Sequence, residues 1–278
     1  MAASGLSRVA GLAMLAALIF PGPSAFAAEA VGRAVDISTQ VSGQGGALAR
    51  GDDIHRDERI RSNASGVGAF MFADGTKLAV GPNSTVVIDQ YVYAGGNTVK
   101  RLAIGATKGT LRWISGKSDH AAYKIQTPSG TLGVRGTAFD IYIARDGTTA
   151  VTLLNGAADF CNERGCRTLN RRCEFIIARP NRQTSEPRGI TRNIGIGVSG
   201  AQAFPFLTGQ KRLPRGFQAG SRCAGLQVAL PGTLGDNFGL APAPAPAAES
   251  PSGSNNGGNG GGGGGDGGGG GDGGGGGG

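Results

Sequence analysis

"KIQTPSGTLGVRGTAFDIYI", residues 124–143, decides how this chain is read. Apolar residues alternate on both sides of a break that holds three glycines, a proline and one arginine. The pattern predicts a strand, a turn, a tight Gly-Val-Arg-Gly-Thr link and a second strand. Thr127-Pro128 sets a bend where no backbone donor is needed. Gly130, Gly133 and Gly136 supply positive φ or let two backbones approach. Arg135 stands between small residues, and its planar fork can hold several carbonyls or one carboxylate. Asp140, Asp146 and Asp159 are its candidate partners. Either Arg135 ties the turn to a neighbouring strand, or it presents a contact for a carboxylate or sugar acid. The small-residue setting favours the first reading.

The same grammar extends outward. From Val31 to Ile143 apolar residues alternate or come in short runs, broken by Asn-Ala-Ser-Gly, Asp-Gly and Gly-Pro-Asn-Ser. That is an all-β chain of short antiparallel strands and hairpins. In "GVGAFMFADGTKLAV", Phe70 and Phe72 lead into Asp74-Gly75 and Leu78 and Val80 return, as around a type I′ turn. In "FDIYIARDGTTAVTLLNG", Ile141 and Ile143 precede Asp146-Gly147, and Val151 and Leu153 follow. The two Asp-Gly turns are 72 residues apart, which predicts two similar layers stacked as in a short solenoid.

Beyond Gly156 the chain changes character. Arg164, Arg167, Arg171, Arg172, Arg179, Arg182, Arg188 and Arg192 make a basic stretch with few aromatics, and one strand is expected at Glu174 to Ala178. Residues 161–240 are read as an irregular extension tied down by disulfides. The candidates are Cys161, Cys166, Cys173 and Cys223, an even number. Of three pairings, Cys161–Cys166 around Asn-Glu-Arg-Gly with Cys173–Cys223 is preferred. Zinc is disfavoured, because paired C-x₂-C spacing is missing and His55 and His120 are distant in sequence.

The ends read differently. Arg8, an apolar run from Val9 to Phe20, a Pro-Gly-Pro break and Ala25-Phe26-Ala27 have the form of a cleaved signal peptide, residues 1–27. The run is shorter than the roughly 20 residues a bilayer span needs. Residues 241–278 form a Pro/Ala spacer followed by a Gly-rich tail, and neither composition buries a core. No apolar residue follows Pro251, which excludes a calcium-binding β-roll. Between the ends, a β-domain over 28–160 and the extension over 161–240 are expected. Lysine and arginine number 27 against 19 acidic residues, a net +8 that permits anionic contacts.

Catalytic patterns are missing. There is no G-x-S-x-G elbow, and His55 and His120 sit in charged loops. "VSGQGG" is not followed by Gly-Lys-Ser/Thr, so it is no phosphate cradle. Trp113, the single tryptophan, is read as core. No enzyme, metal or cofactor is expected.

One family combines these pieces. Gly51-Asp52, Asp74-Gly75-Thr76, Pro82-Asn83-Ser84, Gly109-Thr110-Leu111-Arg112, Thr127-Pro128 and Gly133-Val134-Arg135-Gly136-Thr137 run in the order of the FecR domain of bacterial exported proteins. The chain resembles that domain from about Val31 to Phe160. In the family's named member, a cytoplasmic anti-sigma segment, a membrane helix and a periplasmic sensing part form a signalling switch, whereas many FecR-domain proteins are of a signal-peptide type. Here a signal peptide stands in place of the first two, so no direct relay to a sigma factor is expected. The resemblance implies a periplasmic or secreted protein that binds or senses an envelope protein or polysaccharide, and no nucleic acid. The alternative is a structural surface component held through its Gly-rich tail.

Overall fold

The structure, a computed structural model, describes Met1, residues 29–219, Cys223 and Leu226. The expected signal peptide, Met1 aside, and the expected tail lie outside the described residues.

The fold is all-β, as expected. The strands in chain order are β1 (Ala30–Ser38), β2 (Val41–Gly43), β3 (Gly46–Ala47), β4 (Asp53–His55), β5 (Arg59–Ser62), β6 (Val67–Phe72), β7 (Lys77–Val80), β8 (Thr85–Gly95), β9 (Thr98–Ile114), β10 (Tyr123–Thr127), β11 (Gly130–Ile143), β12 (Thr149–Asn162), β13 (Gly165–Leu169), β14 (Glu174–Ala178) and β15 (Arg188–Gly189). One short helix, α1 (Gly200–Ala203), runs into another, α2 (Pro205–Thr208). All strands join one mixed sheet. Almost every pairing is antiparallel; β10 runs parallel to β9, with Tyr123 opposite Leu102.

Pairing registers show how this sheet folds on itself. The front layer runs β3-β2-β5-β8-β9-β10-β11-β12-β13, and the back layer runs β4-β1-β6-β7-β9-β11-β12-β14-β15. Three strands belong to both. In β9, Thr98 to Lys108 pair with β8, whereas Leu111 to Ile114 pair with β7. In β11, Gly130 to Gly133 pair with β10, whereas Ala138 to Ile143 pair with the back half of β9. In β12, Ala158 to Asn162 pair with β13 and Thr149 to Thr152 with β14. Each strand passes between layers at a glycine with positive φ: Gly109, Gly136 and Gly156. Strands that switch sheets through bends are how orthogonal β packings turn their corners.

The core lies between the layers. Phe70, Phe72, Leu102, Trp113, Ile125, Phe139, Leu153 and Phe160 form one cluster drawn from both. Trp113 is buried beside Phe72 and Tyr123, as its sequence setting predicts. The outer face of the front layer is open, and β10 alternates buried Tyr123 and Ile125 with exposed Lys124 and Gln126. The back layer is buried on both faces, so β14 and the first half of β12 are apolar or buried throughout. Residues 190–219, with Cys223 and Leu226, cover its outer face. Ile194, Phe204, Leu207 and Leu226 pack on Leu154 and Phe175, while Phe206, Leu213 and Phe217 pack on Val67, Ala69 and Ala79. β14 has the bounds read from sequence. The boundary expected after Phe160 falls inside β12, because β13 to β15 continue the sheet.

Both disulfides follow the preferred pairing, Cys161–Cys166 across the β12–β13 hairpin and Cys173–Cys223 tying the extension to the back layer.

The Asp-Gly turns correct one expectation. A type I′ turn needs positive φ at both central residues, but only Gly75 and Gly147 adopt it. Gly75 N donates to Phe72 O at 2.9 Å and Gly147 N to Ala144 O at 3.0 Å, giving a type I turn closed by a left-handed glycine. The aspartates impose this. Each accepts from the backbone N–H and the hydroxyl of the following threonine at 2.9 Å, Thr76 for Asp74 and Thr148 for Asp146.

Candidate functional site

The family-like motif is the corner of β11. Gly133 lies between Lys124 of β10 and Asp159 of β12, and Val134 points into the core. Arg135 is 65% exposed and reaches Asp159 Oδ2 at 2.5 Å. The chain turns at Gly136, with φ of 63°. Thr137 is buried and clamped by Ser115, whose N–H and hydroxyl donate to Thr137 O at 3.0 and 3.1 Å and whose hydroxyl accepts from Thr137 N at 3.2 Å. Trp113 Nε1 donates to the same hydroxyl at 3.3 Å. Gly156, the corner of β12, stacks against this bend. A Cβ there would lie 2.6 Å from Gly136 O. The His120 ring lies against Gly136 on exposed ground, 2.6 Å from where a Cβ would stand.

Thr127-Pro128 begins the β10–β11 hairpin, where Thr127 Oγ1 donates to Gly130 O at 2.9 Å. This turn leans on the Asp146-Gly147 turn. Ser129 Oγ donates to Gly147 O at 2.6 Å, and Pro128 and Pro180 crowd Gly147. The fold thus unites Thr127 and Pro128 with the Cys161–Cys166 loop around a polar cavity of about 340 Å³, and the Asp146-Gly147 turn supports Pro128 and Ser129 from outside that lining. Asp74 and Gly75 lie elsewhere, at the opposite end of β9 beside Gly116 and Lys117. Cys173 and Cys223 pack with the extension cluster.

The three aspartates proposed for Arg135 have separate partners. Asp159 takes Arg135, and Asp146 accepts from Thr148, which holds its carboxyl below the usual range. Asp140 takes Arg112. The pair is fully buried and bidentate, with Nε–Oδ1 at 2.6 Å and NH2–Oδ2 at 2.8 Å. Burial pushes the Asp140 carboxyl up, and Arg112 opposes that push. The Arg112 guanidinium also donates to Phe217 O at 3.5 Å and stands 5.5 Å from the Phe206 ring centroid. It therefore links β9, β11 and the extension. Sequence reasoning named Arg112 as part of the Gly109-Thr110-Leu111-Arg112 run and missed its burial, because nothing local announces the segment that covers it.

A second missed cluster surrounds Asp74. Its Oδ2 accepts from Thr76 Oγ1, Ser118 Oγ and the Tyr123 hydroxyl, the last at 2.7 Å. Burial is the main reason the Tyr123 phenol lies above its ordinary pKa. Ser84, from the Pro-Asn-Ser segment, accepts from Thr110 N at 2.9 Å and donates to Thr110 O at 3.0 Å beside the Gly109 bend. His55 meets Glu58 at 3.5 Å in the β4–β5 turn, far from His120 in the chain. Among the described residues no group of three or more His, Cys, Asp or Glu could hold a metal ion, and no helix is long and apolar enough to cross a membrane.

This geometry is that of a supported corner beside an open polar face. Residues 58–159, from the turn before β5 through most of β12, match the family model described as FecR protein. The chain carries a FecR domain. The match contains β9, β11 and most of β12, with the motif residues from Asp74 to Gly147; Gly51-Asp52 precedes it. Two crystal structures, each of a candidate anti-sigma factor from Parabacteroides distasonis, share 14% identity with the chain over 54% of its length, with TM-scores of 0.43 and 0.39. The chain spans 64% and 65% of those two proteins. No curated protein matches it. The match ends within β12, and the extension that buries the back layer lies beyond the matched residues.

Proposed function

We propose that this is a non-enzymatic FecR-domain protein that binds or senses a cell-envelope partner, in the periplasm or at the cell surface. The match of residues 58–159 to FecR protein carries the reading. The motif residues support it by forming a braced corner whose front-layer face stays open. Export is inferred from the signal-peptide form of residues 1–27, and two disulfides favour an oxidising compartment.

Co-purification from an envelope fraction tests this, using the full chain and a chain lacking Ser252–Gly278. A partner captured by both supports recognition by the folded domain. Capture that disappears with the tail turns the reading into a tethered structural component. No partner with either chain after crosslinking refutes binding. Fractionation with N-terminal sequencing tests export, which predicts a mature end near Ala28.

A further inference from the structure

Two cavities on the front layer meet at one side chain. The first, about 340 Å³, lies between the Thr127-Pro128 turn, the Cys161–Cys166 loop and Asn181-Arg182. The second, about 320 Å³, lies over β8, β9 and β10 and includes Arg101 and Lys124. Gln126 lines both. Arg164 and Arg182 supply the cations of the first, and neither guanidinium has an ion pair among the described residues. The lining therefore sets four cations against one carboxylate, Glu163.

We propose that Arg101, Lys124, Gln126, Arg164 and Arg182 form one track that binds a linear carboxylated polysaccharide. The inference rests on the binding role proposed above and names its ligand class. Arginine forks match carboxylates, and amide side chains match sugar hydroxyls. No aromatic residue lines either cavity, so the base stacking that holds single-stranded nucleic acid is missing. The walls are fixed before any ligand arrives. Asn162 Nδ2 donates to Arg182 O at 3.0 Å and Asn162 Oδ1 accepts from Arg164 N at 2.9 Å, on a loop closed by a disulfide. Prior order of this kind lowers the entropic cost of binding. Gly105 faces the track beside Gln126, and a Cβ there would meet nothing within 4 Å.

The test is calorimetric titration of the full, disulfide-bonded chain with polygalacturonate, dextran, dextran sulfate and single-stranded DNA. Polygalacturonate should bind, and dextran should not. Arg164→Ala with Arg182→Ala should weaken binding by about tenfold or more, the scale of lost charged hydrogen bonds. Gly105→Asp should weaken it similarly without changing the melting temperature. Arg33→Ala with Arg50→Ala, outside the track, should leave it unchanged. Equal affinity for dextran sulfate or DNA, or equal loss in the Arg33/Arg50 variant, overturns the proposal in favour of general charge attraction. Absent polygalacturonate binding also overturns it. If the track variants still capture an envelope partner, the proposed function stands and only this ligand falls.

Discussion

Replacing Gly156 with alanine tests the corner directly. At φ of 79° an alanine costs about 1–2 kcal/mol. Its Cβ would stand 2.6 Å from Gly136 O, 2.8 Å from Thr137 Cγ2 and 3.1 Å from Thr137 Cα. The first and last of these are backbone atoms at the bend of β11, which cannot rotate aside as a side chain does. Such overpacking costs about 1–3 kcal/mol. The total is about 3 kcal/mol, roughly 6–12 °C in melting temperature for a domain of this size. Gly136→Ala meets the same φ strain, but its neighbour is the exposed His120 ring, which can turn away. It should cost about 1–2 kcal/mol. Gly133, two residues from the arginine on the other side, reverses the sign. It has no positive φ, and a Cβ there lies 3.8 Å from its nearest neighbour. Gly133→Ala should be neutral or stabilise by up to about 0.5–1 kcal/mol, because glycine weakens a strand interior. Thermal and urea melts of the oxidised protein read all three. The corner reading fails if Gly156→Ala melts within 2 °C of the parent, about the effect of 1 kcal/mol or less, or if Gly133→Ala falls as far as Gly156→Ala.

Four further outcomes follow from named contacts. Arg112→Ala or Asp140→Asn alone should cost about 3–5 kcal/mol in urea titration, since the remaining partner is buried and uncompensated, whereas Arg112→Met with Asp140→Leu should be near neutral or stabilising. Arg135→Ala should lower stability by at most about 1 kcal/mol, because its ion pair with Asp159 is largely exposed; a larger drop in the melt would mark it as a true pin of the corner. Loss of Cys173–Cys223 by Cys223→Ser should destabilise by about 4 kcal/mol and loss of Cys161–Cys166 by about 2, from loop closures of 50 and 5 residues, as read by melts under matched oxidation. Asp146 and Glu174 both titrate low in the fold: for Glu174, burial pulls upward but hydrogen bonds from Arg171 and Asn170 outweigh it. Folded values below unfolded ones give stability that is present above about pH 4 and lost on acidification, so Asp146→Asn with Glu174→Gln should flatten the acid limb of a pH–stability curve.

Strands and turns were legible because they are local. Alternation marked β10, the Asp-Gly-Thr pairs marked two hairpins, and cysteine parity with short spacing marked both disulfides. The layer changes were not legible, because a glycine that bends a strand has the same letter as one that ends it. Gly109, Gly136 and Gly156 reveal their role only through the registers on either side of each. Turn type failed for a related reason. Asp-Gly fits two geometries, and the threonine hydroxyl that selects between them lies outside the dipeptide. The track was hidden because residues 101, 124, 164 and 182 are far apart in the chain. Within the motif, Arg135 attracted attention by its chemistry, while Arg112 took the buried position because residues more than 90 positions later close over it.

The shared strands also bear on modularity. A segment cut at 58 and 159 would keep β6, β7 and the bent strands, yet lose β1 from one flank of the back layer and β14 from the other. Phe70 and Phe72 would lose the neighbour that pairs with their strand, and Thr149 to Thr152 would become a bare edge. The outer face with Arg112 and Asp140 would stand in water. The FecR segment of this protein is thus not a portable cassette. Grafted elsewhere, it would need substitutes for its first strand, for β14 and for the covering chain, and β9, β11 and β12 leave no seam at which one layer can be exchanged without the other.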